Sequence, residues 1–371
     1  MIRKKLMYVV SDIDKSLHFE WISPHLNKNY NLSFVLIGIH HSALQQFLNQ
    51  QGIPVICFSY KGRLDLIQVW VKVFHIILKQ QPDIIHTHLW VANLIGLTCG
   101  WLAQVPKRIY TRHHASIHYK QYPSGLKWDK LHNRLATHII AISKNVEHLL
   151  IHCDKATREK VRLIYHGFAF SYFQDISSDR VKLLNQNHNI HTESRPVIGV
   201  ISRFTEWKGI QFIIPAFKSL LSDFPDARLI LANAHGEYKP TLVRLLSDLP
   251  ESSFTLINFE HDLAALYRLF DVFVHVPVDQ EAEAFGQTYI EPLIVGIPCI
   301  FTLSGIAREI IKHEENALVV DFKNSEQIYS SMIRLLIDPT LRNNLLEHGK
   351  NAVSKFTIET YLSHLDNLYR E

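Results

Sequence analysis

Val197-Ile198-Gly199-Val200-Ile201-Ser202-Arg203-Phe204-Thr205-Glu206-Trp207-Lys208-Gly209 reads as a buried strand, a short loop and the start of a helix. From there apolar residues fall at Ile210, Ile213, Ile214, Phe217, Leu220 and Leu221, the period of about 3.6 residues expected of a helix facing a core. Asp223 and Pro225 end that helix, and Pro215 inside it predicts a kink in its first turns.

The same strand-then-helix rhythm runs along the rest of the chain. Short β-branched or apolar runs occur at Leu6–Ser11, Ser33–Ile37, Val55–Phe58, Asp83–His88, Arg108–Thr111, His138–Ile142 and Val161–Ile164. After a polar stretch at 174–194 the series restarts with Val197–Ser202, Arg228–Ala232, Phe254–Ile257, Val272–Val276, Pro298–Phe301 and Ala317–Val320. Strands separated by helices imply parallel sheets covered on both faces. The expectation is α/β: a doubly wound domain over 1–173, a linker over 174–194 and a second doubly wound domain over 195–352. The two would face each other across a cleft, with ligands at the carboxyl ends of the strands.

Composition narrows the classes. The chain has 371 residues, of which 47% are hydrophobic and 20% charged, with no repeat or low-complexity segment, which excludes disorder, collagen and solenoids. Cys57, Cys99, Cys153 and Cys299 lie far apart without a CxxC pair, against both a disulfide framework and a zinc knuckle and in favour of a reducing compartment. Leu6 to Val10, behind Arg3, Lys4 and Lys5, is too short for a signal peptide. The uncharged run from Ile84 to Pro106 contains His86, His88, Asn93 and Gln104 and divides more naturally into a strand and a buried helix than into a membrane span.

Charge is divided unequally. Residues 1–170 carry 21 Lys and Arg against 9 Asp and Glu, whereas 171–371 carry 18 against 26. Either the first half meets something anionic, such as a membrane surface, or two domains of opposite sign attract each other. No nucleic-acid-reading motif is visible, so nucleic acid is not expected as a partner. The 23 histidines include neither HExxH nor a Cys/His set, so no metal site is expected.

Two constellations carry chemistry. Arg203 and Lys208 sit at the start of a helix, where free amides and the positive dipole end favour an anion, and together they suit a diphosphate. Lys208 is expected on a solvent-facing helix start; the plainer alternative is that both are solvated loop charges. The second constellation is Glu283-Ala284-Phe285-Gly286-Gln287-Thr288-Tyr289-Ile290-Glu291-Pro292, opening a helix that Gly296 and Pro298 terminate. Phe285 and Gly286 can present backbone amides to a ligand. Glu283 in the loop and Glu291 inside the helix are too far apart to act on one atom and suit two polyol groups of an extended ligand.

Arg203…Lys208-Gly209, Glu283-x7-Glu291 with Phe285-Gly286, Gly296-x-Pro298 and Ser304-Gly305…Glu309 resemble the donor half of retaining GT-B glycosyltransferases of family 4 over roughly residues 195–325. Asp83–His88, Tyr110-Thr111-Arg112-His113-His114, Ala141-Ile142-Ser143 and Ile164-Tyr165-His166-Gly167 resemble the acceptor domain more loosely. Residues 353–371 resemble the final helix that returns to that domain. Two departures stand out. The loop Ser11–Ser16 has no glycine where the family commonly has Gly-Gly, and Ala232-Asn233-Ala234-His235-Gly236 stands where Gly-x-Gly is usual.

The resemblance implies a metal-independent, hexosyltransferase-like enzyme of the cell-surface polysaccharide or lipopolysaccharide type. It would move a sugar from a UDP- or GDP-linked donor to a glycan or lipid-linked acceptor, with no cofactor beyond that substrate. The basic excess of the first half adds the expectation of a cytoplasmic protein, peripheral on the inner face of the membrane. Arg203 and Lys208 would neutralise the leaving diphosphate, Glu291 would bind the ribose hydroxyls, and Glu283 with Phe285 and Gly286 would hold the sugar. Ser304 and Gly305 would lie near the diphosphate, and His114, or alternatively His113, would touch the transferred sugar. The alternatives sharing the architecture are a sugar-nucleotide 2-epimerase and an inactive glycan- or nucleotide-binding scaffold. For the acceptor, Tyr119, Tyr122 and Trp128 around Pro123-Ser124-Gly125 suit a sugar chain or a lipid headgroup.

Overall fold

The computed structural model describes residues 3–116, 125–190 and 195–371. Tyr119, Tyr122, Pro123 and Ser124 of the expected acceptor loop lie outside the described residues. Contacts divide the chain into two units, one of Met1–Phe168 with Phe356–Glu371 and one of Ala169–Lys355.

The first unit is built on seven parallel strands, β1 (Lys5–Ser11), β2 (Asn31–Ile37), β3 (Val55–Phe58), β4 (Ile84–His88), β5 (Lys107–Arg112), β6 (His138–Ala141) and β7 (Val161–Leu163), in the order β3-β2-β1-β4-β5-β6-β7. The second carries six, β8 (Val197–Ile201), β9 (Arg228–Ala232), β10 (Phe254–Ile257), β11 (Val272–His275), β12 (Cys299–Phe301) and β13 (Leu318–Val319), in the order β10-β9-β8-β11-β12-β13. All thirteen strands read from the sequence form. Both sheets are doubly wound, with the order reversing between β1 and β4 and between β8 and β11, the points at whose carboxyl ends open α/β sheets place their ligands. The run Ile84 to Pro106 gives β4 and the 13-residue helix Trp90–Leu102, and no helix among the described residues is long and apolar enough to cross a membrane.

The helix Ile210–Asp223 carries Pro215 inside it, and its face of Ile210, Ile213, Ile214, Phe217 and Leu220 is fully packed. One local expectation needs correction. Residues 174–194, read as a linker, contain the helix Ser178–Asn187 of the second unit. That helix buries only Leu184; Arg180 ties it to Asp262 by two hydrogen bonds of 2.8 and 2.6 Å, and His188 pairs with Glu260 at 2.6 Å. Ion pairs substitute for an apolar face, which hid the helix from periodicity. At the two glycine-poor loops, Asp12 (φ 54°) and Asn233 (φ 60°) take up the left-handed conformation, as residue types that tolerate it better than most.

The last helix, Ile358–Arg370, belongs to the first unit. It buries Tyr361, Leu365 and Tyr369, and Tyr369 Oη lies 2.6 Å from both Tyr8 Oη and His86 Nδ1. Around that junction gathers a layer of histidines. His86 is bonded on its other nitrogen by Thr111 Oγ1 at 2.8 Å, His88 Nδ1 lies 3.0 Å from His113 Nε2, and His18 packs edge-on to His166 and Tyr361. Burial drives these imidazoles towards the neutral form, His18 to about 4 and His113 to about 3, with His86, His88 and His166 also well below the usual value.

A depressed histidine is neutral when folded but binds a proton when unfolded below about pH 6.5, so its stabilisation is complete above that pH and falls away as pH drops towards 4. Each such ring contributes a slope of about 1.4 kcal/mol per pH unit, or about 3 °C in Tm for a domain of this size. Melting curves between pH 7 and 4 should therefore show a steep acid limb that His18→Phe makes shallower; an unchanged limb in the variant would contradict the buried neutral layer.

Candidate functional site

In the second unit, β8 leads through Ser202–Thr205 into a 3-10 turn at Glu206–Lys208, then Gly209, then the helix from Ile210. Lys208 thus precedes the helix instead of opening it. Gly209 has φ 77°, and a Cβ there would collide with the carbonyl of Val276, so only glycine lets this loop pass the end of β11.

That close passage decides where Lys208 goes. Its side chain is 14% exposed, not solvent-facing as expected, and Nζ donates to Glu283 Oε1 at 2.5 Å while lying 4.4 Å from the Trp207 ring centre. His275, the last residue of β11 and fully buried, donates from Nε2 to the same oxygen at 3.1 Å. Burial alone would raise the Glu283 carboxyl, but the Lys208 ammonium and the His275 hydrogen bond outweigh it and hold it at about 2. His275 itself is pushed down by burial, against the pull of Glu283, so it serves as a neutral donor.

The Glu283 backbone is fixed from a third loop. Its N–H donates to Ser304 Oγ at 3.0 Å, and Ile306 N–H donates to the Phe285 carbonyl at 2.9 Å. Gly305, with φ 55°, lies so close that a Cβ would meet Glu283 Cβ and Phe285 O at 2.7 Å. The Ser304 and Gly305 amides are already used by the carbonyls of Thr302 and Gln280, so both residues shape the Glu283 loop. Phe285 is buried, and Gly286 (φ 84°) leads into a 3-10 turn, Gln287–Tyr289, instead of an α-helix.

Glu291 is the first residue of the short helix Glu291–Val295, not a position inside a longer one. Its carboxyl is 4% exposed, accepts from Tyr267 Oη at 2.7 Å, and is raised by burial to about 7. Arg203 is exposed on the loop after β8. The structure therefore joins Lys208, Glu283, Phe285, Ser304 and Gly305 directly. Glu291 forms a separate buried carboxyl–phenol pair.

His114 belongs to the first unit, where Nε2 lies 3.2 Å from Asp129 Oδ2. Asp129 is itself buried and paired with Arg112 at 2.8 Å. His113 instead stands in the histidine layer, bonded to His88 and stacked on His166 at 5.7 Å. Sequence reasoning missed His275 and Tyr267. A histidine ending the otherwise apolar Val272-Phe273-Val274 was the available signal for the first; nothing local marked the second.

The chain matches two family models in succession, Glycosyltransferase Family 4 over residues 35–171 and Glycosyl transferases group 1 over residues 181–352. It is a GT-B group 1 glycosyltransferase of family 4. Among curated proteins this glycosyltransferase is 26% identical to the capsular polysaccharide biosynthesis glycosyltransferase CapM of Staphylococcus aureus, over 100% of this chain and 97% of that one. Among solved structures it resembles HepE of Anabaena in complex with UDP and glucose, with a TM-score of 0.84, 20% identity, and coverage of 99% of this chain and 100% of that one. It also resembles the sucrose-phosphate synthase of Thermosynechococcus elongatus, with a TM-score of 0.75, 19% identity, and coverage of 99% and 98%.

Because the Lys208–Glu283 pair is nearly dry, removing one partner strands the other. Lys208→Met should destabilise the protein by about 3–5 kcal/mol, and Glu283→Gln placed on top of it should restore much of the loss. Additive destabilisation in denaturant titrations of Lys208→Met, Glu283→Gln and the double variant would argue against the pair.

Proposed function

We propose that this glycosyltransferase is a retaining, metal-independent enzyme that transfers a hexose from a UDP-linked donor to a glycan or lipid-linked acceptor. The observation that carries the reading is Lys208. Its ammonium is held by Glu283 next to the end of β11, at the point where the strand order of the second sheet reverses. An ammonium has three N–H donors and Glu283 takes one, so two remain for phosphate oxygens. Breaking the bond between the sugar and the diphosphate places negative charge on the leaving oxygen, and a preorganised cation there stabilises the transition state. Arg203 adds an exposed bidentate fork.

In the same reading Glu283, oriented by His275 and Ser304, holds hydroxyls of the transferred sugar together with the Gly286 amide. Glu291 accepts the ribose hydroxyls. The sugar-facing histidine in this reading is His114, whose partly exposed ring is oriented by Asp129, with His113, already bonded to His88, as the alternative. UDP is favoured over GDP because HepE, the neighbour with the same fold, has been solved with UDP and with UDP-glucose. The polysaccharide or lipid-linked acceptor takes support from the name of CapM.

Turnover should persist in EDTA, while Arg203→Ala, at an exposed position, should lose about two decades of rate and remain folded. Loss of transfer in EDTA that manganese restores, with Arg203→Ala near wild type, would sink the reading. Retention is read from the anomeric proton signal of the first product formed.

The two carboxylates should separate in binding. Glu291→Ala should weaken UDP about ten- to a hundredfold, while Glu283→Gln, which keeps an acceptor oxygen beside Lys208, should weaken UDP less than it cuts transfer. Because the ionised Glu291 is the better acceptor and its carboxyl sits at about 7, UDP should bind more tightly as pH rises from 6 to 8. Glu291→Gln should remove that part of the pH dependence; calorimetric titration at each pH measures it.

A further inference from the structure

Tyr267 ends the short helix Leu263–Tyr267 and is fully buried, yet the proposed reaction gives it no task. Its ring sits in an apolar cage, edge-on to Phe173 at 6.4 Å, Phe270 at 6.0 Å and Phe273 at 5.4 Å. A phenol in such a cage needs a hydrogen-bond partner for its hydroxyl. It has one, because Oη donates to Glu291 Oε2 at 2.7 Å. Phenylalanine would fill the same space without that requirement, so packing accounts for the ring and not for the hydroxyl.

Both ends of this bond are held. At the start of the Tyr267 helix, Asp262 accepts from the Ala265 N–H at 3.0 Å and is gripped by Arg180. Glu291 opens the helix Glu291–Val295, whose residues are all buried. Among the described residues the phenol bonds the Glu291 carboxylate on Oε2 and none bonds Oε1. An ionised carboxylate has about four lone-pair sites, so Oε1 and a second site on Oε2 are left for a ligand's donors.

The other titratable groups on the surrounding elements are neutral or engaged elsewhere. Arg268, directly after Tyr267, donates to the Gln174 carbonyl at 3.4 Å, and Tyr172 donates to the His261 carbonyl at the same distance. Tyr289 gives its hydroxyl to the Thr302 carbonyl. Lys350, on the helix Pro339–Val353 that packs against Glu291–Val295, lies beside Gly296 beyond the far end of that short helix. Cys299 of β12 is kept a neutral thiol by burial. Burial also pushes the Tyr267 phenol well above its ordinary value, so it donates throughout the range in which Glu291, at about 7, titrates.

We infer that Tyr267 is a positioning residue for the donor nucleotide: its hydroxyl clamps Glu291 Oε2 and so presents the rest of the carboxylate to a vicinal diol, that of the ribose. The inference deepens the ribose role proposed for Glu291 and rests on it. The same hydrogen bond favours the ionised carboxylate, opposing the effect of burial. Without it the carboxyl holds its proton to higher pH, and fewer molecules offer an ionised acceptor at pH 7.

The test is calorimetric titration of UDP into the full chain between pH 6 and 9, for wild type, Tyr267→Phe, Phe173→Leu and Glu291→Gln. Tyr267→Phe should weaken UDP about fivefold at pH 7 and about twofold at pH 9, moving the rise in affinity to higher pH. Phe173→Leu loosens the cage but keeps the hydroxyl, so its affinity should rise at the same pH as that of wild type. Thermal melts establish that each variant is folded. A Tyr267→Phe profile that rises at the wild-type pH, or a shift that Phe173→Leu reproduces, overturns the inference alone when Glu291→Gln flattens the profile. If Glu291→Gln binds UDP like wild type at every pH, the ribose role falls and takes the inference with it.

Discussion

A carboxylate that water barely reaches must find cationic and hydrogen-bonding partners or give up its charge, and Glu283 finds both on one oxygen. Lys208 arrives from the loop after β8, His275 from the end of β11, and Ser304 holds the Glu283 backbone from the loop after β12. One charge therefore draws three loops to a point at the reversal of strand order. Such convergence leaves little space, which is why Gly209 passes the Val276 carbonyl and Gly305 lies against Glu283 and Phe285. The glycines and the ion pair are two consequences of the same crowding. The arrangement also leaves a positive group beside the crevice with donors to spare, which is what an anionic leaving group needs.

Much of this was legible before any coordinates. Strands announce themselves by short apolar runs, and all thirteen appear where those runs lie. The spacing from Arg203 to Gly209, and Glu283-x7-Glu291, identified the loops that carry charge. What periodicity could not reveal was the shape of those loops. The expected α-helical starts at Lys208 and Gly286 are 3-10 turns, because a left-handed glycine adjoins each of them. Nor could spacing show that Lys208 and Glu283, 75 residues apart, share a bond. The helix Ser178–Asn187 escaped notice because ion pairs, which have no period, hold it in place.

The first unit solves a different chemical problem. At the carboxyl ends of β4, β5 and β7 it places neutral imidazoles, kept uncharged by burial and by one another. A neutral ring can both give and accept a hydrogen bond, which suits a hydroxyl better than a phosphate. Arg112, the cation nearest these rings in sequence, is cancelled by Asp129 and Asp154 and is almost wholly buried.

The basic excess of the first half is spread over the unit, and Lys15, Lys61 and Lys144 follow the carboxyl ends of β1, β3 and β6. Part of it stands outside, on the helix Arg63–Gln80, where Lys72 and Lys79 are exposed. Val69, Val73 and Ile77 pack that helix into the core beside the sheet, so its outer lysines stand a core layer away from the neutral imidazoles.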